Sequence, residues 1–429
     1  MEFQAKAQKW SDIAYIASLV AFLAYRSFFN TMIRHDFGIK RCKPAELCWL
    51  VFMALLIMFR ALYLRCYSKV EFLIAVSFCV CILLSWRHAR VYWFLMVPLL
   101  IVGAKGIPFE RIVKVFLITV GAVIGVALIL SLTGVITNLE YILYVDSKNH
   151  AKGIIASRYA FGTTYPTTFS EFVFFLSAAW LFLRRNMVKY YDVILLAAIS
   201  AFLYKGSHAV TDTICVAALA VIALLVIVFR HRSSHVWKIV HKLCAPLVMV
   251  TGLCTAVMTT LMILYDPSKA SWKAWNRRLH YRLSLGHRGF KNYGIHLFGS
   301  KVKYHMTGAD PSLMGRKDYF NLDCSYQMIL INFGIIVLLF IVGFFTISAL
   351  RAWQKYDIAL LLIIVVISLE CVMENRMIQP QYDIFLLMVF ADMQSVRGEK
   401  YLILSRNKEG GGTGKRKPKA GETSVLAGE

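Results

Sequence analysis

Acidic side chains are scarce in this 429-residue chain. Only 24 Asp and Glu stand against 48 Lys and Arg, for a formal charge of +24. Charged residues of both signs together reach 17%, whereas soluble domains carry about 25%. That shortage excludes an ordinary soluble globular chain. Paired cysteine motifs are missing too. Eight of the ten cysteines lie in or beside apolar runs, Cys79, Cys81, Cys215 and Cys254 among them, and there they read as small hydrophobes. No CxxC points to a metal or redox centre. There is no P-loop, no GxSxG elbow, no HExxH and no solenoid-like repeat.

What is present is oil. Hydrophobic residues make up 59% of the chain, in runs such as VEFLIAVSFCVCILLSW (70–86) and VFLITVGAVIGVALILSLTGV (115–135). About 20 apolar residues cross a hydrocarbon core as a helix. Backbone groups cannot stay unpaired in lipid, so a spanning chain is helical or a closed barrel, and continuous apolar runs exclude the barrel's alternation. The expectation is an all-α, polytopic membrane bundle. Hydropathy gives twelve spans, near 11–33, 46–64, 70–86, 90–106, 113–135, 166–183, 190–204, 210–229, 243–265, 324–350, 357–373 and 378–392. Spans 190–204 and 378–392 are short enough to be tilted, re-entrant or buried. The run 11–33 lacks a following small-residue cleavage site and reads as a retained span rather than a signal peptide.

The short loops RRNMVKYYD (184–192), RHRSSHVWKIVHK (230–242) and RAWQK (351–355) are basic and read as cytoplasmic. An even number of spans then places both termini inside. The basic loop RHDFGIKRCK (34–43) falls outside and breaks the pattern. The chain divides into spans one to nine (1–265, with an outer loop at 136–165), a long outer loop (266–323), spans ten to twelve (324–392) and a basic tail (393–429). The Gly-rich, then basic end of that tail reads as disordered, either a tether to lipid headgroups or in part an appended remnant. The charge excess fits basic cytoplasmic loops and anionic lipid. Without a soluble basic domain, nucleic acid is the weakest partner.

The long outer loop carries 11 Lys and Arg against four Asp and no Glu. Its densest part is NRRLHYRLSLGHRGFKNYGIHLFGSK (276–301), with Arg277, Arg278, Arg282, Arg288 and Lys291 and no acid. On a helical reading Arg278 and Arg282 share a face. Planar guanidinium forks suit phosphate or diphosphate oxygens, and a solvated helix lying on headgroups is the bland alternative. Asp323, at the mouth of span ten, reads either as a helix N-cap or as a general base. His280, His287, His296 and His305 fit no metal spacing and read as surface residues. Glu370 and Glu374 close an apolar span, where acids are functional or paired, and Arg376 is two residues from Glu374. Arg60 snorkels or pairs. No Asp-x-Asp pair is available for a diphosphate–metal site.

These segments occur in the order SRYAFGTTYP, NRRLHYRLSLGHRGFKNYGIHLFG, LDCSYQMILINFG and LECVMEN. Over roughly 150–390 that order resembles the Wzy-type O-antigen and capsular polysaccharide polymerases. The resemblance implies a GT-C-like membrane glycosyltransferase without metal or other cofactor. It would transfer a nascent glycan from undecaprenyl diphosphate to a sugar hydroxyl of an incoming lipid-linked repeat unit, at the outer side of the bacterial cytoplasmic membrane. A flippase and a chain-length regulator would be its pathway partners. By the same resemblance Arg158 matches the arginine of the family's first outer loop and Arg278, Arg282 and Arg288 those of the long one, with Asp323 as first choice for the base and Tyr326 beside it. The catalytic candidates are then Asp323, Arg282 and Arg278, and the diphosphate- or substrate-binding ones Arg158, Arg277, Arg288, Tyr326, His287 and Glu374. The spacing of some family members, Arg followed eleven residues later by Gly, holds for Arg278/Gly289 and Arg288/Gly299 but not for Arg158, because position 169 is Phe. An O-antigen ligase-like transferase and a lipid-linked oligosaccharide flippase are the competing readings.

Overall fold

The structure, a computed structural model, describes residues 2–64, 66–144, 154–229, 234–305, 310 and 318–393. The tail assigned to 393–429 lies outside these residues, apart from Met393. From the amino terminus run α1 (Glu2–Phe28), a short α2 (Met32–Asp36), α3 (Lys43–Leu62), α4 (Lys69–Ala89), α5 (Met96–Gly103) and α6 (Phe109–Leu132). A two-stranded antiparallel hairpin follows, β1 (Glu140–Tyr144) with β2 (Ile154–Tyr159). Then come α7 (Pro166–Arg184), α8 (Tyr190–Gly206), α9 (Val210–Phe229), α10 (Ser234–Cys244), α11 (Val250–Ile263), α12 (Ala270–Arg278), α13 (Arg282–Tyr293), α14 (Ser325–Asn332), α15 (Ile335–Gln354) and α16 (Ile358–Met373).

Seven helices among the described residues are long and apolar enough to cross a membrane: α3, α4, α6, α7, α9, the run Lys238–Ile263 and α15. This is a membrane helical bundle. Many helix starts follow from local chemistry. Ser68 and Glu71 form a reciprocal capping box at the start of α4, while Pro44 and Pro166 sit in the first turns of α3 and α7, where no N–H is needed.

The bundle has two ends. At one, Met32 N–H bonds Gly162 O (2.8 Å), Arg158 Nε bonds Ser207 O (3.0 Å) and Arg282 bonds Met373 O. The loop 34–43 joins this end, where Asp36 accepts the Thr137 N–H at 2.7 Å. We call it the loop face. At the other end Arg60 bonds Lys105 O, Arg185 bridges Asp357 and Glu110, and Phe109 N–H bonds Asp392 O. The basic 34–43 loop therefore shares a face with both long loops, as the alternation of spans requires.

The chain is mostly helical, and one short hairpin is added to the bundle, built from the alternating stretches EYILY and IIASRY with Tyr141 opposite Arg158. Three expectations are corrected. The helix read through 276–285 breaks at Leu279–Tyr281, where His280 and Tyr281 take positive φ (45° and 67°), so Arg278 and Arg282 do not share a face. Span 324–350 is two helices. α14 is buried along its whole length, and Gly334 (φ 93°) interrupts the chain before α15 where Leu297 and Gly299 press against its backbone. Finally, the run 378–392 forms no α-helix. It returns to the opposite face with a single 3-10 turn, Ile384–Val389, walled in on all sides.

Candidate functional site

Arg282 opens α13 at the loop face, directly after the backbone break. Its guanidinium is fully engaged. Nε and Nη2 donate to Met373 O (3.1 and 2.9 Å), Nη1 donates to His280 O (3.0 Å), Nη2 reaches Glu374 Oε1 (3.4 Å) and Nη1 lies 3.6 Å from Asp323 Oδ2. Burial acts to lower its pKa, but Asp323 and Glu374 outweigh this and hold it above the ordinary arginine range. The carbonyl at the end of α16 is one of that helix's orphan acceptors, and a guanidinium is well placed to satisfy it.

Asp323 is not used as a cap. The N-cap of α14 is Cys324, with no side-chain cap bond, so the Asp323 carboxylate is left to Arg282 and to Asn321 Nδ2, which donates to it. Glu374 is the first residue past α16. Burial drives its pKa well above the carboxylate range; Arg282 opposes this, and Glu171 and Asp323 add to it.

The other outer loop arrives at the same place. β2 carries Arg158, whose Nε donates to Ser207 O and whose guanidinium stands 5.8 Å from the Tyr165 ring. Arg158, Asp323 and Glu374 all act on the Tyr165 hydroxyl, though burial is the larger influence and raises its pKa. Desolvation first, then Arg282 and Arg158, push His280 below the usual histidine range. Arg158, Arg282, Asp323 and Glu374 thus converge, from segments up to 216 positions apart in the chain.

Beneath them lies a layer that sequence reasoning missed. Glu171 of α7 pairs with Arg376 at 2.8 Å, and the Asp212 carboxylate of α9 accepts from Ser170. Glu370 of α16 lies within electrostatic range of Asp212, Glu171 and Glu374. Glu171 Oε1, Asp212 Oδ1 and Glu370 Oε1 are all buried without a hydrogen-bond partner among the described residues. The stretches TTFSEFVFF and VTDTICV were legible by the rule that singled out Glu370, an acid inside an apolar run. The cluster is therefore not the arginine-only cradle the loop composition suggests. Acids from three helices oppose its cations.

Other expected site residues fall elsewhere. Arg277 and Arg278 are exposed on α12, Arg278 over the Trp275 ring at 5.5 Å. Arg288 sits over Phe320 (4.6 Å) and bonds Tyr319 O, at the edge of the cluster. His287 Nδ1 bonds Met262 O at 3.2 Å and serves packing between α13 and α11. Tyr326 is wholly buried with its hydroxyl on Ser368 O (2.7 Å), away from Asp323, because successive α14 side chains fan around the helix. Arg376, two residues from Glu374, pairs with Glu171 instead. The glycines matched by spacing have packing roles. A Cβ at Gly289 would meet Ile331 at 2.9 Å, and one at Gly299 (φ 80°) would overlap Asn332 O. Among the described residues no group of three or more His, Cys, Asp or Glu is arranged to hold a metal ion.

Compared with family models, curated proteins and solved structures, the chain matches none.

Proposed function

We propose that this chain is a membrane glycosyltransferase of the polysaccharide-polymerase kind, acting on glycans carried by undecaprenyl diphosphate. The supporting observation is the meeting of Arg158 and Arg282, from two separate loops, around Asp323 and Glu374 at the loop face. In this reading the chain crosses the bacterial cytoplasmic membrane twelve times. The loop face is extracytoplasmic and both termini are cytoplasmic.

The chemistry needs three things. The acceptor hydroxyl must lose its proton as its oxygen bonds to the anomeric carbon, and Asp323, free of any capping duty, is the base that takes it. The anomeric carbon–oxygen bond to the diphosphate breaks, and the leaving diphosphate gains charge. Arg158, whose Nε donates to the Ser207 carbonyl, and Arg282 stabilise that charge more in the transition state than in the ground state. Glu374 and Asp323 stand 3.4 and 3.6 Å from the Arg282 guanidinium, and an incoming diphosphate would compete with them for it. The family resembled implies single displacement with inversion.

The test uses purified protein in nanodiscs with a lipid-linked repeat unit, wild type against Arg282→Ala and Asp323→Asn, with EDTA present. A ladder of products that both substitutions abolish, with folding intact, supports the polymerase. A single added block points to a ligase-like transferase.

A second reading has an observation of its own. Buried acids inside α7, α9 and α16, each with one oxygen left without a hydrogen bond among the described residues, beside a final crossing that is not a helix, are features of ion-coupled transporters. Movement of the lipid-linked oligosaccharide between leaflets, with no ladder from matched substrates, would favour that flippase reading.

A further inference from the structure

We propose that Arg26 forms a second anion site on the loop face, one that takes a phosphoryl group. Arg26 lies in the last turn of α1 and is 7% exposed. Among the described residues its guanidinium makes no hydrogen bond and no ion pair, and its Nε is buried without a partner. The ring of Trp93 stands 5.4 Å from it. Among the described residues the other buried arginines are answered, Arg60 by Asp12 and Arg185 by Asp357 and Glu110, and the half-buried Arg376 is answered by Glu171. A buried charge left alone is costly, and folds normally answer it with a partner.

Among the described residues no group around Arg26 bonds its guanidinium. The carboxylate within electrostatic range, Glu46, accepts the Tyr25 hydroxyl on Oε1 at 2.8 Å and makes no ion pair with Arg26. Arg41, which stands over the Phe29 ring at 5.5 Å, adds a second positive charge. The Tyr382 hydroxyl, fully buried and without a hydrogen bond among the described residues, lies within range of Arg26 and is a further donor. Two cations and a hydroxyl against one carboxylate leave an excess of donors, the complement of an oxyanion. A planar guanidinium fork matches phosphate oxygens in particular, and Trp93 beside it suits headgroup depth.

The site deepens the proposed reaction and rests on it for the identity of the carrier. Polymerisation requires two lipid diphosphates at once, one as donor and one carrying the acceptor. The cluster around Arg282 accommodates one of them, and Arg26 holds the second. The anion site itself rests on the burial of Arg26 and its lack of a bonded partner among the described residues, not on the identity of the carrier.

The full chain in phosphatidylcholine nanodiscs is titrated with undecaprenyl diphosphate, and bound copies are counted by native mass spectrometry for wild type, Arg26→Met, Arg26→Lys and Arg282→Gln. Wild type should bind two copies. Arg26→Met and Arg282→Gln should each lose a different one, with affinity for the lost copy about 10- to 100-fold weaker. Ligand-free Arg26→Met should melt at or above wild type, because an unanswered charge has gone; a merely structural arginine would behave in the opposite way. Arg26→Lys keeps the charge without the fork and should weaken the same copy. Competition by inorganic pyrophosphate would assign the site to the phosphoryl head alone, and resistance to it would show that the tail contributes. One copy in wild type, removed by Arg282→Gln alone, overturns the Arg26 site and leaves the proposed reaction standing. Unchanged binding in Arg26→Lys together with a lower ligand-free melting point in Arg26→Met overturns it equally. Failure of the polymerisation assay does not alter this count.

Discussion

Arg376 reaches past Glu374, its near neighbour in sequence, and pairs with Glu171 on α7, 205 positions away, at 2.8 Å. The ring of Tyr382 lies under the same guanidinium, 4.5 Å from it. Buried pairs of this kind are costly to break because the survivor keeps its charge without a partner. Glu171→Ala should therefore destabilise the protein by about 3–5 kcal/mol. The double variant Glu171→Leu, Arg376→Met should recover most of that loss. Thermal unfolding in detergent compares the two, and a double variant as poor as the single would contradict the pairing.

Arg282 ties α13 to the end of α16 and faces both Asp323 and Glu374. Arg282→Ala should lower the transfer rate by about 10²–10³-fold, the range for losing one preorganised donor. Arg282→Lys should recover little, since an ammonium cannot span a carbonyl and two carboxylates at once. Rates of ladder growth under saturating lipid-linked substrate give the answer.

Arg278 serves as the contrast. It belongs to the same dense stretch but lies exposed on α12 against Trp275. Arg278→Ala should change the rate less than about threefold, in line with an exposed contact worth under 1 kcal/mol. A loss like that of Arg282→Ala would mean that α12 approaches the substrate.

Glu374 sets a pH dependence. Its folded pKa is raised by burial, so the folded chain holds this proton at pH values where the unfolded chain has lost it. That stability is fully present below the ordinary glutamate value of 4.5 and is lost as pH rises through the higher folded value. Wild type should lose melting temperature over the rise above pH 4.5, and Glu374→Gln should remove that part of the slope. Parallel profiles for the two proteins would show that Glu374 is ionised throughout.

Gly299 takes φ 80° and lies against the carbonyl of Asn332. Gly299→Ala should lower the yield of folded protein, because α14 and the loop cannot both keep their places. Size-exclusion profiles of the detergent-solubilised protein measure this directly.

The bundle was legible in the sequence because its signal is local: twenty apolar residues need no partner to declare a span. Asp323, Arg282, Arg158 and Glu374 were legible as chemistry on unusual ground, and they converge. Arg277, Arg278, Arg288, His287 and Tyr326 were swept in by nearness in sequence. Arg277 and Arg278 are parted from Arg282 by the break at His280–Tyr281, and no pattern of residue types announces two left-handed residues that are not glycine. Glu171 and Asp212 went unread for a different reason. One acid in an apolar run is visible, but only tertiary packing reveals that three such runs place their acids together.

The enclosed segment after α16 has a consequence for how the protein is made. Residues 374–392 hold one short 3-10 turn, and their side chains are almost all enclosed by neighbouring helices. Such a segment cannot leave the translocon into lipid on its own, since its backbone groups would be bare there. It can enter only a slot already lined by α5, α6 and α15, and its Asp392 then locks onto Ile107 and Phe109. Biogenesis is thereby ordered: earlier helices must assemble first, and a ribosome that stops short of residue 392 leaves an open seam through the middle of the molecule.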